Sequence, residues 1–363
     1  LSWRAGELLA LVTVSGSGVN KANSTVLLGY DFASGATKLL RTGDMLTIDE
    51  EESAIRSISV LSPVPGSAGQ GRSQANTLVV ARVILADGRT ALVRINTNGN
   101  PVVQPLLASE RTLFPANVTA NPLYKGFGIP AVGSAGSNFV ALSTLAAGEF
   151  ANSGNDTALV FSSNGAIFTP FAREGATAAD AGSAKYQGFL DPLTNSLGDV
   201  AFVGTLAGQG VTAKNRTALW WGNPNSPLEI VARTGSPAAE PSGAEGEASY
   251  AGFASVALPG GANAGPVFLA TLNGPGVSKK TNLGLWALDS NNVVRRLLKT
   301  GDILKTDEFK DDEQVSKTVA RMTLLQALPG AFGATRSVNE NGGVVVLVGF
   351  TDKTQAVITL GIP

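Results

Sequence analysis

Tyr186-Gln-Gly188-Phe189 opens the stretch that decides the fold. The stretch continues through Asn195-Ser-Leu-Gly198-Asp-Val-Ala201-Phe202-Val-Gly-Thr-Leu206 and Thr217-Ala-Leu-Trp220 to Ile230-Val-Ala-Arg233-Thr234-Gly235-Ser236. Its opening marker recurs as Tyr124-Lys-Gly126-Phe127 and Tyr250-Ala-Gly252-Phe253, at spacings of 62 and 64 residues. Its closing marker recurs as Arg41-Thr-Gly43-Asp44, Arg173-Glu-Gly175-Ala176 and Lys299-Thr-Gly301-Asp302. Arg41 and Arg173 are 132 residues apart, two periods of 66, so a unit should close between them near Ser109-Glu110-Arg111, where the motif has decayed. Fixed-period self-similarity of this kind is the signature of a repeat architecture.

Each unit carries four strand-like runs, in the template near 188–193, 200–206, 218–221 and 229–233. Turn chemistry joins the third run to the fourth: Asn98-Gly99, Asn164-Gly165, Asn223-Pro224-Asn225 and Asp289-Ser-Asn291-Asn292. Asn-Gly between apolar runs favours the positive-φ turns of hairpins. Val200-Ala-Phe-Val203 and Val344 to Val348 are apolar without alternation, which means that both faces are covered. No segment sustains helical periodicity; 54–58 and 308–315 are expected to be short turns at most.

Repeated four-stranded antiparallel units with two apolar faces predict an all-β chain, a β-propeller with blades packed face to face. A string of sandwich domains would need roughly 90–100 residues each. The first unit begins at Gly6-Glu-Leu-Leu-Ala-Leu-Val12, in register with the template's second strand, and the last stops before a fourth strand. Six blades, the first and last incomplete, is the simplest packing, with five or seven as alternatives. The expected layout is one domain over 1–363, in units of about 1–53, 54–123, 124–185, 186–249, 250–318 and 319–363. Terminal strands from Leu8 and ending at Leu360 are expected to meet and seal the ring, since an open ring leaves exposed edges.

Composition narrows the chemistry. Only 15% of residues are charged, the net charge is −1, and no long basic run exists, which argues against nucleic-acid binding. No apolar run approaches the roughly 18 residues of a membrane span. The sequence has no cysteine and no histidine, which excludes Ser-His-Asp and Cys-His nucleophilic systems and the usual zinc, copper and haem ligand sets. No catalytic constellation and no cofactor-binding motif is recognisable, and the chain is not expected to be an enzyme. Position 1 is Leu and the first methionine is Met45, so the sequence is expected to be a processed form or a fragment.

Two acidic stretches occupy equivalent places after closing markers: Asp49, Glu50, Glu51 and Glu52, and then Asp307, Glu308, Asp311, Asp312 and Glu313. Clustered carboxylates without His or Cys favour a hard, oxygen-ligated cation, and calcium is the candidate. Neither stretch has calcium-loop spacing, and a solvated acidic loop is the competing reading. Asn23, Asn117, Asn155 and Asn215 open N-glycosylation triplets, three of them just before a third strand, where a loop needs Asn and a strand begins with Thr. Gly66 to Gly71 and Gly260-Gly261 lack a following Lys-Ser/Thr and do not read as phosphate cradles. The short cationic cluster Arg295-Arg296-Lys299 reads as a solvated hairpin. The Tyr-x-Gly-Phe aromatics read as wedges between blades, and the recurring Arg/Lys as a tie between neighbouring blades.

Asn195-Ser-Leu-Gly198-Asp-Val-Ala201-Phe202 resembles the signature of the bacterial choice-of-anchor tandem-repeat proteins named for N-x-x-G-x-x-A-F. Asn339-Glu-Asn-Gly342-Gly-Val-Val-Val346 repeats it more loosely. Gly6 and Gly136 hold the glycine position, with Trp3 and Gly133 in place of Asn. The resemblance implies an exported protein of the cell surface or extracellular space with no defined biochemical activity. Together with the composition it gives a non-catalytic structural or protein-interaction module, with a protein partner or self-assembly. The alternative is a carbohydrate-binding or carbohydrate-active propeller using carboxylates or a bound cation, with a polysaccharide as its partner.

Overall fold

The computed structural model describes residues 2–4, 7–59, 78–96, 102–110, 112–115, 121–128, 130–132, 138–164, 168–195, 197–224, 226–259, 265–310, 313–324, 338 and 342–362, with 2–4, 7–9, 78–79 and 308–310 described by backbone alone. Among these residues there are 28 strands and no helix. The strands form six antiparallel sheets, over 2–41, 45–108, 124–173, 185–233, 237–299 and 303–360, each following the chain up and down. These are the six blades of a β-propeller.

Strand chemistry explains why the apolar runs do not alternate. In Val200–Ala207, Val200 and Phe202 pack with Tyr186, Trp220 and the third blade's Val140 and Leu159. The intervening Ala201 and Val203 pack with the fifth blade's Tyr250, Phe268 and Trp286. Successive side chains point to opposite faces of a strand, so a blade between two neighbours needs apolar residues at every position. Comparable clusters join blade one to two, two to three, and five to six.

Two irregularities recur, each in five of the six blades. The first long strand is bulged at Ile55/Ser57, Tyr124/Gly126, Tyr186/Gly188, Tyr250/Gly252 and Val319/Arg321. A second bulge falls at Leu27/Leu28, Leu92/Val93, Leu159/Val160, Leu219/Trp220 and Leu285/Trp286. Bulges raise local twist and turn the strand. The register identifies Ile55 and Val319 as occupants of the marker tyrosine's place, which the sequence alone does not reveal.

A two-bond backbone link joins every pair of consecutive blades. The closing residue donates its amide to the carbonyl at the marker position of the next blade: Gly43 to Ile55 at 2.7 Å, Glu110 to Tyr124 at 2.7 Å, Gly175 to Tyr186 at 2.9 Å, Gly235 to Tyr250 at 2.8 Å and Gly301 to Val319 at 2.8 Å. The marker amide returns a bond to Asp44, Thr112, Ala176, Ser236 and Asp302 respectively. The decayed closure of the second unit therefore keeps its backbone path at Glu110.

The two end sheets have four strands each where the others have five, and in blade one the first position, expected to be missing, is filled by a short strand. Blade one has Glu7–Thr13, Thr25–Asp31 and Gly35–Arg41, preceded by only the three-residue Ser2–Arg4. Blade six has Glu313–Leu324, Val344–Phe350 and Gln355–Leu360 at the first three positions, with Ile303–Lys310 ahead of them. Residues 54–58 are not a turn but lie inside Glu51–Ser59, and the described residues of 308–315 lie on the paired strands Ile303–Lys310 and Glu313–Leu324. The unit boundaries drawn at 53/54, 249/250 and 318/319 fall inside strands, because the first long strand starts before its marker. The Asn98-Gly99 turn, Asn117, residues 66–71, 260–261 and 339–341, and Gly6, Gly133 and Gly136 lie outside the described residues.

Candidate functional site

The recurring markers are occupied with architecture. Arg41, Arg173 and Arg233 each donate Nε to a carbonyl 18 residues back, of Asn23 (2.5 Å), Asn155 (3.0 Å) and Asn215 (2.7 Å). The bond lies within one blade, so the expectation that this arginine ties neighbouring blades is corrected; the closing amide does that. Those same asparagines open three of the glycosylation triplets. Their side chains close short loops: Asn23 Oδ1 accepts from the Asn20 amide, Asn155 Oδ1 from Asn152 and Asn215 Oδ1 from Thr212.

The closing glycine sits on the same loop. Gly43, Gly175, Gly235 and Gly301 have φ between 78° and 96°, and a Cβ at Gly235 would lie 3.1 Å from the Lys214 carbonyl. The marker tyrosines are buried packing residues, as expected. Tyr186 contacts Phe189, Phe202 and Trp220 at 5.2–6.2 Å between centroids. Tyr250 does the same with Phe253, Phe268 and Trp286.

The described parts of both acidic stretches lie on paired strands. Asp49 and Glu50 form a two-residue turn with both φ positive, and Glu51 and Glu52 pair with Ile48 and Thr47 on the adjoining strand. Adjacent strand positions face opposite ways, so Glu51 and Glu52 diverge. Glu51 lies 3.5 Å from the Arg89 guanidinium. Asp307 and Glu308 are on Ile303–Lys310, Glu313 pairs with Lys310, and Asp311 and Asp312 lie outside the described residues. Among the described residues no group of three or more Asp or Glu is placed to hold a metal ion.

Arg295 and Arg296 are not a solvated hairpin. Arg295 pairs with the buried Asp289, and Arg296 reaches both Glu240 and Asp302 at 2.9 Å. Burial alone would raise the Asp289 carboxyl, but Arg295 and the amides of Val293 and Asn291 outweigh it and hold it below the usual range.

What remains is a cleft between blades three and four, built around the N-x-x-G turn. Asn195 is fully buried, and its Oδ1 accepts from the amides of Leu197 and Asp199 at 3.0 Å. Its Nδ2 donates to Asp199 Oδ2 at 2.9 Å and to the Pro259 carbonyl of the next blade at 3.0 Å. Asp199 Oδ1 accepts from Asn223 Nδ2 at 3.1 Å. These bonds bring the Asn223-Pro224 turn beside Leu197. Gly198, at φ 85°, has no side chain to separate it from the amide of Asn138, whose Nδ2 would be 3.2 Å from a Cβ there. The Phe161–Asn164 corner closes the other side, where Ser162 Oγ donates to Asn164 Oδ1 at 3.2 Å.

The resulting cavity of about 340 Å³ is lined, among the described residues, by Asn, Ser and Thr side chains with Phe161, Leu197 and Pro224, and by no charged one. The turn-forming asparagines Asn164 and Asn223 were legible as hairpin signals, but their convergence was not. Two turns from different blades and the Asn138 amide meet only through the stacking of blades.

The chain is similar in structure to the GH93 alpha-L-arabinofuranosidase of Fusarium graminearum in complex with arabinobiose. That match has 10% identity and a TM-score of 0.35, covering 99% of this chain and 90% of the other. It is also similar to the WD40 domain of SCAP from fission yeast, with 7% identity, a TM-score of 0.33 and coverage of 98% and 74%. No curated protein matches the sequence. Residues 87–360 match the model of a family of unknown function, DUF7453, and the chain belongs to that family.

Proposed function

We propose that this propeller is a non-catalytic protein-interaction or structural module of an exported, cell-surface or extracellular assembly. One observation carries the reading: recurring residues face inward and hold blades together, while the exposed apolar residues differ from blade to blade. On blade one, Tyr30 and Phe32 form an edge-to-face pair with centroids 5.5 Å apart, and Phe32 is 73% exposed. No other blade repeats that pair at its hairpin: the corresponding turns carry Asn164, Asn223 and Asp289. Aromatic side chains on a rigid frame are the residue class enriched among interface anchors. A net charge of −1 leaves little repulsion against docking or self-association. Export rests on the likeness of 195–202 to exported repeat proteins.

The test is retention of a partner by the intact chain purified from its source, compared with a Tyr30→Ser/Phe32→Ser variant. The expected result is a protein partner, or a second copy, held by the wild type and lost from the variant. A monomer that retains nothing overturns the reading, and turnover of a polysaccharide would replace it with an enzymatic one.

A further inference from the structure

We propose that the cleft between blades three and four is a binding site for a neutral saccharide unit, separate from the aromatic pair of blade one and independent of whether that pair docks a partner. The chemistry of the walls selects the ligand. Ser163, Asn164, Thr169 and Asn223 present hydroxyls and amides, groups that both donate and accept, while Asn138 and Ser162 lie buried behind them. Sugar hydroxyls have that same dual character, so each can take a bond and give one at such a wall. Leu197, 54% exposed, and the neighbouring Pro224 offer an apolar surface for the C–H face of a ring.

The competing ligand classes fit less well. An anion is held by Arg or Lys, and neither is among the described residues that line the cleft. A hard cation needs several carboxylate oxygens. The one carboxylate at its edge, Asp199, accepts from the amides of Asn195 and Asn223 and has 9% of its surface exposed. A purely apolar ligand would strip water from the amides without replacing their bonds.

The site is also built rather than incidental. Asn195 fixes the Leu197 and Asp199 amides and reaches into blade five, so the turn that forms one wall is held from behind. Gly198 permits the Asn138 amide to approach, and any side chain there would meet it at 3.2 Å. A volume of about 340 Å³ lies at the lower end of ligand pockets, roughly 300–1,000 Å³, which suits one or two sugar rings.

The experiment titrates the intact chain with D-glucose, D-galactose, D-mannose, L-arabinose and N-acetylglucosamine, following side-chain amide signals of Asn138, Asn164 and Asn223 by NMR. Sodium phosphate and calcium chloride are titrated in parallel. At least one sugar is expected to shift these amides saturably. Ser163→Trp, an exposed substitution that fills the cleft mouth, is expected to weaken binding by about tenfold or more. Asn164→Ala should weaken it by a smaller factor, and Ser163→Trp should melt like the wild type. The proposal is overturned if no sugar gives saturable shifts, or if the shifts lie elsewhere. It is equally overturned if Ser163→Trp binds unchanged, or if phosphate or calcium occupies the cleft instead.

Discussion

The junction between blades three and four and that between blades two and three follow one backbone path with different side chains. At the first, Gly175 supplies the positive φ, Tyr186 OH accepts from the Ala179 amide, and Trp220 Nε1 donates to the Ala179 carbonyl at 2.9 Å. At the second, Glu110 holds φ 63°, and the buried Tyr124 hydroxyl has no hydrogen-bond partner among the described residues. Val160 stands in register where blade four has Trp220. Phe114, from the linking segment, packs edge-on against Tyr124 at 5.8 Å, and the Arg173 guanidinium lies over the Phe114 ring at 5.4 Å. The amide-to-carbonyl link is retained at both junctions. The lesson is that backbone geometry defines the repeat, and different side chains can fill the space around it.

The largest expected difference is in the ring that fills each junction. Trp220→Ala removes a fully buried indole and should cost about 3–5 kcal/mol, read by chemical denaturation. Val160→Ala at the matching position should cost clearly less, because fewer atoms leave the core. Equal losses would mean that the two positions are not equivalent.

The closing residue should separate the junctions next. Gly175→Ala forces a Cβ to 2.8 Å from the Gly154 carbonyl at φ 78° and should cost about 1–3 kcal/mol. Glu110→Gly relieves the same backbone strain and should be neutral or gain up to about 1 kcal/mol. A destabilised Glu110→Gly would show that the glutamate side chain holds this junction.

A smaller contrast concerns the hydroxyls. Tyr186→Phe loses a bond to the Ala179 amide and should cost about 0.5–1.5 kcal/mol. Tyr124→Phe removes a buried hydroxyl without a partner and should be neutral or stabilising. Burial pushes both phenols upward, so neither should ionise while the chain is folded at moderately alkaline pH.

The smallest effect is acid-dependent. The Arg89 guanidinium beside Asp87 holds its carboxyl at about 2, below the ordinary 3.8. A carboxyl depressed on folding contributes stability that is complete above the unfolded value and is lost as pH falls through the folded one. Arg89→Ala should therefore flatten the stability-against-pH curve between about pH 4 and 2. An unchanged slope would remove this pair from the acid response. Over the same chain, added calcium or chelator should leave the melting temperature unmoved, since the carboxylates of Asp49 to Glu52 do not converge; a rise with calcium would contradict that placement.

The sequence disclosed the blades because a buried strand must be apolar on both faces, and Val200 to Val203 shows that directly. It disclosed the closing turns wherever glycine marks a positive φ. It did not disclose Ile55 and Val319 as marker positions, because the bulge and the backbone link there need no tyrosine. Acidic runs read as ion sites because their carboxylates are close in sequence, whereas strand alternation separates Glu51 from Glu52. The cleft was hidden for the opposite reason: Asn138, Asn164 and Asn223 are far apart in the chain, and only blade stacking brings them together.

The central claim is that one backbone link joins consecutive blades regardless of side chain. Hydrogen exchange at the amides of Gly43, Glu110, Gly175, Gly235 and Gly301 tests it most directly. The account predicts comparable protection at all five, with Glu110 as slow as Gly175 and Gly235. A Glu110 amide that exchanges like an open loop while the glycines stay protected would contradict it.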